Sequence, residues 1–270
     1  MKRTITALFG FLLLATPAAV EGQSGSGNGF DYTINPDDTN TITITNYTGP
    51  GGAVIIPTNI NGFTVTRIGN GEASVFSAFS LSSVTIPGSV TEIGAGAFDG
   101  CADLSSVTMA NGVTNIEDYA FSGTSLSNMT IPPSVIEIGN AAFENCFSMR
   151  GLYFTGNAPA VASDAFAGNI TMVYYLPGTT GWSNTFGTRP AFLWNPLIQT
   201  GDGSFGISNN QFGFNISGTT NIPIMVEACT NLASPVWIPL TNVTLTNGLY
   251  YFSDPKWTNH SSRFYGLGFQ

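Results

Sequence analysis

The pair Ala-Phe recurs at Ala97-Phe98, Ala120-Phe121, Ala142-Phe143 and Ala165-Phe166, in steps of 23, 22 and 23 residues. Five residues before each phenylalanine stands Ile93, Ile116, Ile138 or Val161, and three before those stands Val90, Val113, Val135 or Ala158. After it come Leu104, Leu126 and Met149, then Val107-Thr-Met109, Met129-Thr-Ile131 and Leu152-Tyr-Phe154. An earlier copy, Val65, Ile68, Phe76, Leu81 and Val84-Thr-Ile86, fits the frame with three extra residues between Ile68 and Phe76. Five copies therefore cover about Ile56 to Leu176. A unit this short cannot bury its own apolar side. Stacked units align equivalent positions into ladders, and the ladders form one continuous core.

Val84 and Ile86 alternate with Ser83 and Thr85, which is strand periodicity. Strands recurring in one direction pair in parallel through a solenoid. Gly94, Gly139, Pro57, Pro87 and Pro132 mark the corners. The phrase IPGSVTEIGAGAFDGCADLSSVTMANGVTNIEDYAF resembles the BspA-type leucine-rich repeat. The expected fold is mainly β: a leucine-rich-repeat solenoid of about five turns of 22–23 residues, followed by a small antiparallel β-sandwich. The resemblance implies a secreted or surface protein, several of whose relatives adhere to other proteins or cells. It implies no ligand. The chain departs from the pattern in its first copy, through the insertion, and in its fifth, where Ala158-Pro159 replaces the usual valine segment.

Lys2 and Arg3 precede an apolar run, Ala7 to Ala15, and small residues follow up to Gly22. This is the layout of a secretory signal peptide over residues 1–22. The run is too short for a spanning helix, which needs about 20 apolar residues. Residues 23–55 read as a flexible leader, Ser24 to Gly29, followed by a β-hairpin that caps the first repeat. The hairpin turn holds Asp37 and Asp38. With Asp31 these carboxylates also suggest calcium, but the spacing matches no EF-hand loop.

Residues 56–176 are the repeats, 177–200 a C-terminal cap and linker, and 201–270 the sandwich module. Trp182, Phe186, Phe192 and Trp194 read as a hydrophobic lid on the last turn, or, with Tyr153 and Tyr174, as a stacking platform for sugar or peptide. In the module, strand-like runs recur at 212–216, 224–228, 236–240, 249–252 and 263–267. Residues Glu227, Thr230-Asn-Leu232, Trp237, Phe252-Ser-Asp-Pro255 and Arg263-Phe-Tyr265 resemble a C-terminal β module of Verrucomicrobia-type secreted proteins.

Charged residues are 9% of the chain and the net charge is −9. That balance disfavours nucleic acid and anionic membrane surfaces as partners. Cys101 and Cys146 occupy the same repeat position two turns apart. Their backbones are then about 9.6 Å apart, beyond the roughly 7 Å a disulfide spans. Both thiols should be buried and reduced, and Cys229 has no evident partner. His260 is the single histidine, and no Gly-x-Ser-x-Gly elbow or zinc spacing accompanies it. Glu92, Glu117-Asp118, Glu137 and Glu144 are spread along the turns as solvated surface. No catalytic residue, cofactor or metal ligand is assigned.

The candidate ligand-binding positions are the outward strand residues Ser83, Thr85, Ser106, Thr108, Asn128, Thr130 and Tyr153, with Tyr174 and Trp182 at the end. They point to a secreted, non-catalytic interaction protein that binds an extracellular protein or polysaccharide through the repeat face. The alternative is a structural component of the cell envelope or matrix, attached through the C-terminal module.

Overall fold

A computed structural model describes residues 24–71, 74–76 and 80–268. The signal segment, 1–22, and part of the insertion ahead of Phe76 lie outside the described residues. The chain forms a coil of short, mostly parallel strands with two faces, followed at its C-terminal end by a small β module.

The narrower face is one continuous sheet. The strands Asp38–Tyr47, Phe63–Ile68, Glu92–Ile93, Asn115–Ile116, Glu137–Ile138 and Ala160–Val161 follow one another in parallel. Ile68, Ile93, Ile116, Ile138 and Val161 stand in register along it. The broader face carries Gly52–Ile55, Leu81–Ile86 and Ser106–Met109 in one parallel sheet, then Asn128–Ile131, Gly151–Phe154, Met172–Tyr175 and Arg189–Leu193 in another. The break between the two sheets coincides with a shortened turn. Phe98 to Ser106 is a step of eight residues, whereas Phe121 to Asn128 is a step of seven.

Between the faces runs a spine of phenylalanines. Phe76 and Phe98 stack with centroids 4.9 Å apart, Phe98 and Phe121 at 5.1 Å, Phe121 and Phe143 at 5.5 Å, and Phe143 and Phe166 at 5.8 Å. The 4.8 Å strand spacing of a parallel coil sets this stacking distance. Such pairs stabilise by roughly 0.5–1.5 kcal/mol beyond their burial. The alanine beside each ring is fully buried (Ala97, Ala120, Ala142 and Ala165), and its small side chain lets adjacent turns close on one another. The spine runs past the Ala-Phe repeats, to Tyr47 at one end (5.2 Å from Phe76) and Phe186 at the other (6.1 Å from Phe166). A count anchored on Ala-Phe pairs therefore falls short of the number of turns.

Three residues beyond each phenylalanine lies a buried polar or thiol group. Thr124 Oγ1 donates to the Phe121 carbonyl at 3.0 Å, Cys146 Sγ to the same carbonyl at 3.1 Å, and Asn169 Nδ2 to the Phe143 carbonyl at 3.0 Å. These contacts satisfy corner carbonyls that the strands leave unpaired. Cys101, Cys146 and Cys229 are all buried, unpaired thiols. Burial pushes the Cys101 thiol up to about 11 and raises that of Cys146.

At the N-terminal end the structure differs from the sequence expectation. The Ser24–Gly27 segment is a strand, not a flexible leader, paired antiparallel with Phe30–Asn35. Asn28 and Gly29 both have positive φ (55° and 80°) and join Gly27 to Phe30 as a two-residue turn. Asn-Gly is the sequence such a hairpin turn prefers. The next hairpin is also tighter than expected, since Asn35 pairs with Asp38 across Pro36-Asp37. Buried Asn35 anchors it: it donates to Thr41 Oγ1 (2.9 Å) and Thr66 Oγ1 (3.0 Å) and accepts from Thr43 Oγ1 (2.6 Å). The three N-terminal aspartates face separate partners: Asp37 pairs with Arg67 (2.6 Å), Asp38 accepts from Asn40, and Asp31 accepts from Asn46. The Arg67 hydrogen bonds hold the Asp37 carboxyl below its ordinary range.

The C-terminal module is a pair of antiparallel sheets. One has Gln211–Ser217 at its centre, with Leu249–Asp254 on one side and the short strands Leu197–Ile198 and Gly206–Ser208 on the other. Leu197–Ile198 lies within the stretch that the sequence reads as cap and linker. The second sheet is Ile238–Thr244, Pro223–Cys229 and Phe264–Gly268. Phe214, Ile216, Ile224, Val226 and Phe252 fill the space between them. Asp254, nearly buried, pairs with Arg263 Nε at 2.7 Å and accepts from Tyr265 Oη at 3.0 Å. Among the described residues no helix is long and apolar enough to cross a membrane.

Candidate ligand-binding face

The outward positions of the broad face form two ladders. Ser83 faces Ser106, and Thr85 faces Thr108, across one pair of strands. Asn128 faces Gly151, and Thr130 faces Tyr153, across another. Thr85, Ser106, Thr108 and Thr130 are exposed, and Ser83 and Asn128 are half-exposed. Inward neighbours Val84, Val107, Met129 and Leu152 are buried, so strand alternation fixes which side chains face out. The result is a shallow hydroxyl-bearing surface. It begins beside Ile55, which faces Thr85 and is exposed.

The same ladder continues as Tyr153, Tyr174 and Phe192. The structure corrects the reading of these rings as an open platform. Tyr153 is 2% exposed and Tyr174 4%. They stack on each other with centroids 5.0 Å apart, and both belong to the core of the C-terminal module, together with Trp194, Phe214, Ile216 and Ile224. Burial raises the Tyr174 hydroxyl above its ordinary range. Trp194 Nε1 donates to the Pro223 carbonyl at 2.9 Å and ties the module to the end of the coil. Trp182 lies apart from them. It stacks on Tyr175 (4.9 Å) and packs edgewise on Phe154 (5.0 Å), closing the last turn. Its indole faces are therefore occupied by neighbours, which is the lid reading rather than the platform.

Where the module meets the coil, a cleft of about 490 Å³ remains. Asn128, Arg150, Ile170 and Met172 line it on the coil side, and Asn221, Pro223 and Thr244 on the module side. Edges of Tyr153 and Tyr174 reach its floor. Of these, only Asn128 and the two tyrosines were candidates from the sequence. The signal for Arg150 was present in the repeat itself. The residue opening each outward run is Ser82, Ser105 and Ser127 in three turns and Arg150 in the fourth.

His260 is exposed and lines a separate cleft beside Trp257 and Phe212. Asp254, the acidic residue nearest it in sequence, is engaged by Arg263 and Tyr265. Glu92 pairs with Arg67 at 3.5 Å, Asp118 accepts from the Asn140 backbone at 2.6 Å, and Glu137 accepts from Asn115 at 3.4 Å. Partial burial, with Glu92 nearby, raises the Glu117 carboxyl. Among the described residues no group of three His, Cys, Asp or Glu side chains is placed to hold a metal ion.

Parallel rungs, an aromatic spine and a flat strand face define a leucine-rich-repeat solenoid. Residues 65–179 match the BspA type leucine rich repeat region in six copies, one more than the five counted from the sequence. Among solved structures, a leucine-rich repeat protein from Bacteroides capillosus is 28% identical, over 49% of this chain and 99% of its own, with a TM-score of 0.42. A leucine rich cell surface protein from Faecalibacterium prausnitzii is 20% identical, over 74% and 60%, with a TM-score of 0.41. The pneumococcal vaccine antigen PcpA is 21% identical over 57% of this chain, with a TM-score of 0.42, and the match spans 41% of that antigen's length. A search of curated proteins found no match.

Proposed function

We propose that the protein is a secreted, non-catalytic interaction protein that holds an extracellular partner, protein or polysaccharide, on the broad face of its repeats. The observation that carries this is the outward set Ser83, Thr85, Ser106 and Thr108, aligned across one strand pair, with Asn128 and Thr130 opening the next sheet, all over one buried core. Side chains spaced about 4.8 Å apart on a rigid sheet present hydroxyls with little ordering cost. Extended faces of this kind are how solenoids bind.

The test is capture of extracellular proteins and polysaccharides from the organism's own surroundings by residues 23–270, beside the double variant Thr108→Arg/Thr130→Arg. Both positions are exposed, so the variant keeps its fold. Saturable capture lost in the variant supports the reading. Equal capture by both proteins, or none by either, overturns it. The secretion part is read separately, from the N-terminal residue of the protein recovered outside the cell, expected to be Gln23.

A second reading, attachment to envelope or matrix through the module, draws on an apolar surface at Leu232, Val236, Trp237, Ile238 and Phe264, all exposed. Deleting the module is a poor test, because Tyr153 and Tyr174 are buried beneath it. The cleaner test is Trp237→Ser/Ile238→Ser and the amount of protein retained on cells.

A further inference from the structure

A repeat protein carries its own internal control: a position that changes in one turn stands out against the same position in the others. The outward run reads Ser82-Ser83-x-Thr85, Ser105-Ser106-x-Thr108 and Ser127-Asn128-x-Thr130. The fourth turn reads Arg150-Gly151-x-Tyr153 and the fifth Thr171-Met172-x-Tyr174, so the arginine is peculiar to the fourth. All three outward positions change together, and they change where the cleft opens.

Each change has a local consequence. Tyr153 forms the floor and receives the module. Gly151 makes room for it: a Cβ there would lie 2.9 Å from the Tyr153 ring and 3.0 Å from Asn128 Oδ1. Packing of the module thus accounts for Gly151 and Tyr153, but not for Arg150. Arg150 is exposed, and its Nη1 donates to the Phe147 carbonyl at 3.2 Å. Among the described residues, the ion pairs of the chain are made by Arg67 and Arg263. Arg150 pairs with no carboxylate, in a chain whose net charge is −9. Beside it stand Ile170, 67% exposed, and Met172, 41% exposed.

We propose that this cleft binds a peptide segment of a protein partner, seating an Asp or Glu carboxylate on the Arg150 guanidinium and aliphatic side chains on Ile170 and Met172. This deepens the face reading above and rests on it. A guanidinium matches a carboxylate in two parallel hydrogen bonds. A methionine beside an isoleucine offers an adaptable apolar seat. Asn128, Asn221 and Thr244 add side-chain donors and acceptors for a peptide backbone. A sugar is the poorer fit. Sugar stacking needs an open aromatic face, and the faces of Tyr153 and Tyr174 are taken up by each other and by the module.

The experiment measures fluorescence anisotropy of labelled hexapeptides on the whole secreted chain. The probes carry one aspartate flanked by leucine and valine, or asparagine in its place, and polygalacturonate serves as the acidic sugar. The aspartate peptide should bind saturably and the asparagine peptide about tenfold more weakly or worse, as expected for a lost charge-assisted contact. Arg150→Ser, which restores the serine of the other turns, should weaken the aspartate peptide by a similar factor without shifting Tm. Arg150→Lys should retain part of the affinity, and Lys256→Ser, a distant exposed cation, all of it. Equal binding by the wild type and Arg150→Ser overturns the assignment, as does no peptide binding or Arg150-dependent binding of polygalacturonate alone. If Thr108→Arg/Thr130→Arg loses a captured partner that Arg150→Ser retains, the cleft assignment falls and the face reading stands.

Discussion

Tyr153 and Tyr174, one rung apart on the broad face, stack with ring centroids 5.0 Å apart and planes 16° from parallel. Their outer side is covered by the C-terminal module through Phe214, Ile216 and Ile224. Repeats and module therefore share one apolar contact, and neither is complete without the other.

That sharing predicts coupled unfolding. Tyr174→Ala should cost about 3 kcal/mol, in line with other large-to-small changes at buried rings. Loss should appear at the same denaturant concentration by far-UV circular dichroism and by the fluorescence of Trp194, which donates to Pro223 in the module. Two separated transitions in the wild type would show that the contact does not couple the parts.

The aromatic spine predicts a steep contrast between inside and outside. Phe121 stacks on both Phe98 and Phe143, and Phe121→Ala should cost about 3–5 kcal/mol. Phe147 is exposed, so Phe147→Ala should change stability by no more than about 0.5 kcal/mol. Urea midpoints with unchanged slopes measure both.

Thiol chemistry follows from burial. Cys101, raised to about 11, and Cys146 should resist iodoacetamide in the native protein at pH 8. All three cysteines should alkylate in denaturant without prior reduction. Mass spectrometry that finds fewer than three labels in the unreduced, denatured chain would contradict the stacking of turns described above.

The module should weaken in alkali. Burial, reinforced by the Asp254 carboxylate, raises the Tyr265 hydroxyl to about 12. Between the ordinary tyrosine value and 12 the folded chain binds more protons than the unfolded one, so stability falls as pH rises through that window. Below it the contribution is fully present. In Tyr265→Phe the slope of stability between pH 10 and 12 should flatten, while below that window the variant lacks the hydrogen bond to Asp254.

Much of this architecture was legible in the chain because a solenoid is built from local rules. Each turn touches its neighbours, so the 22–23-residue step of Ala-Phe specifies the spine, the parallel rungs and the inward side of every strand. The missed elements obeyed other signals. Asn28-Gly29 is a hairpin turn set in a glycine-serine run that reads as linker. The aromatic stack runs past the Ala-Phe pattern on rings of other sequence context, Tyr47 at one end and Phe186 at the other.

What the sequence by itself determined is the repeat array and the hydroxyl-bearing outward positions from Ser83 to Thr130, since periodicity alone decides which side chains face out. Only the tertiary structure decided that Tyr153 and Tyr174 are covered and that Arg150 borders a cleft. The tyrosines obey the same outward alternation as the threonines before them. Their burial comes from a module more than twenty residues further along the chain, whose apolar residues Phe214, Ile216 and Ile224 are removed from water by packing on those rings.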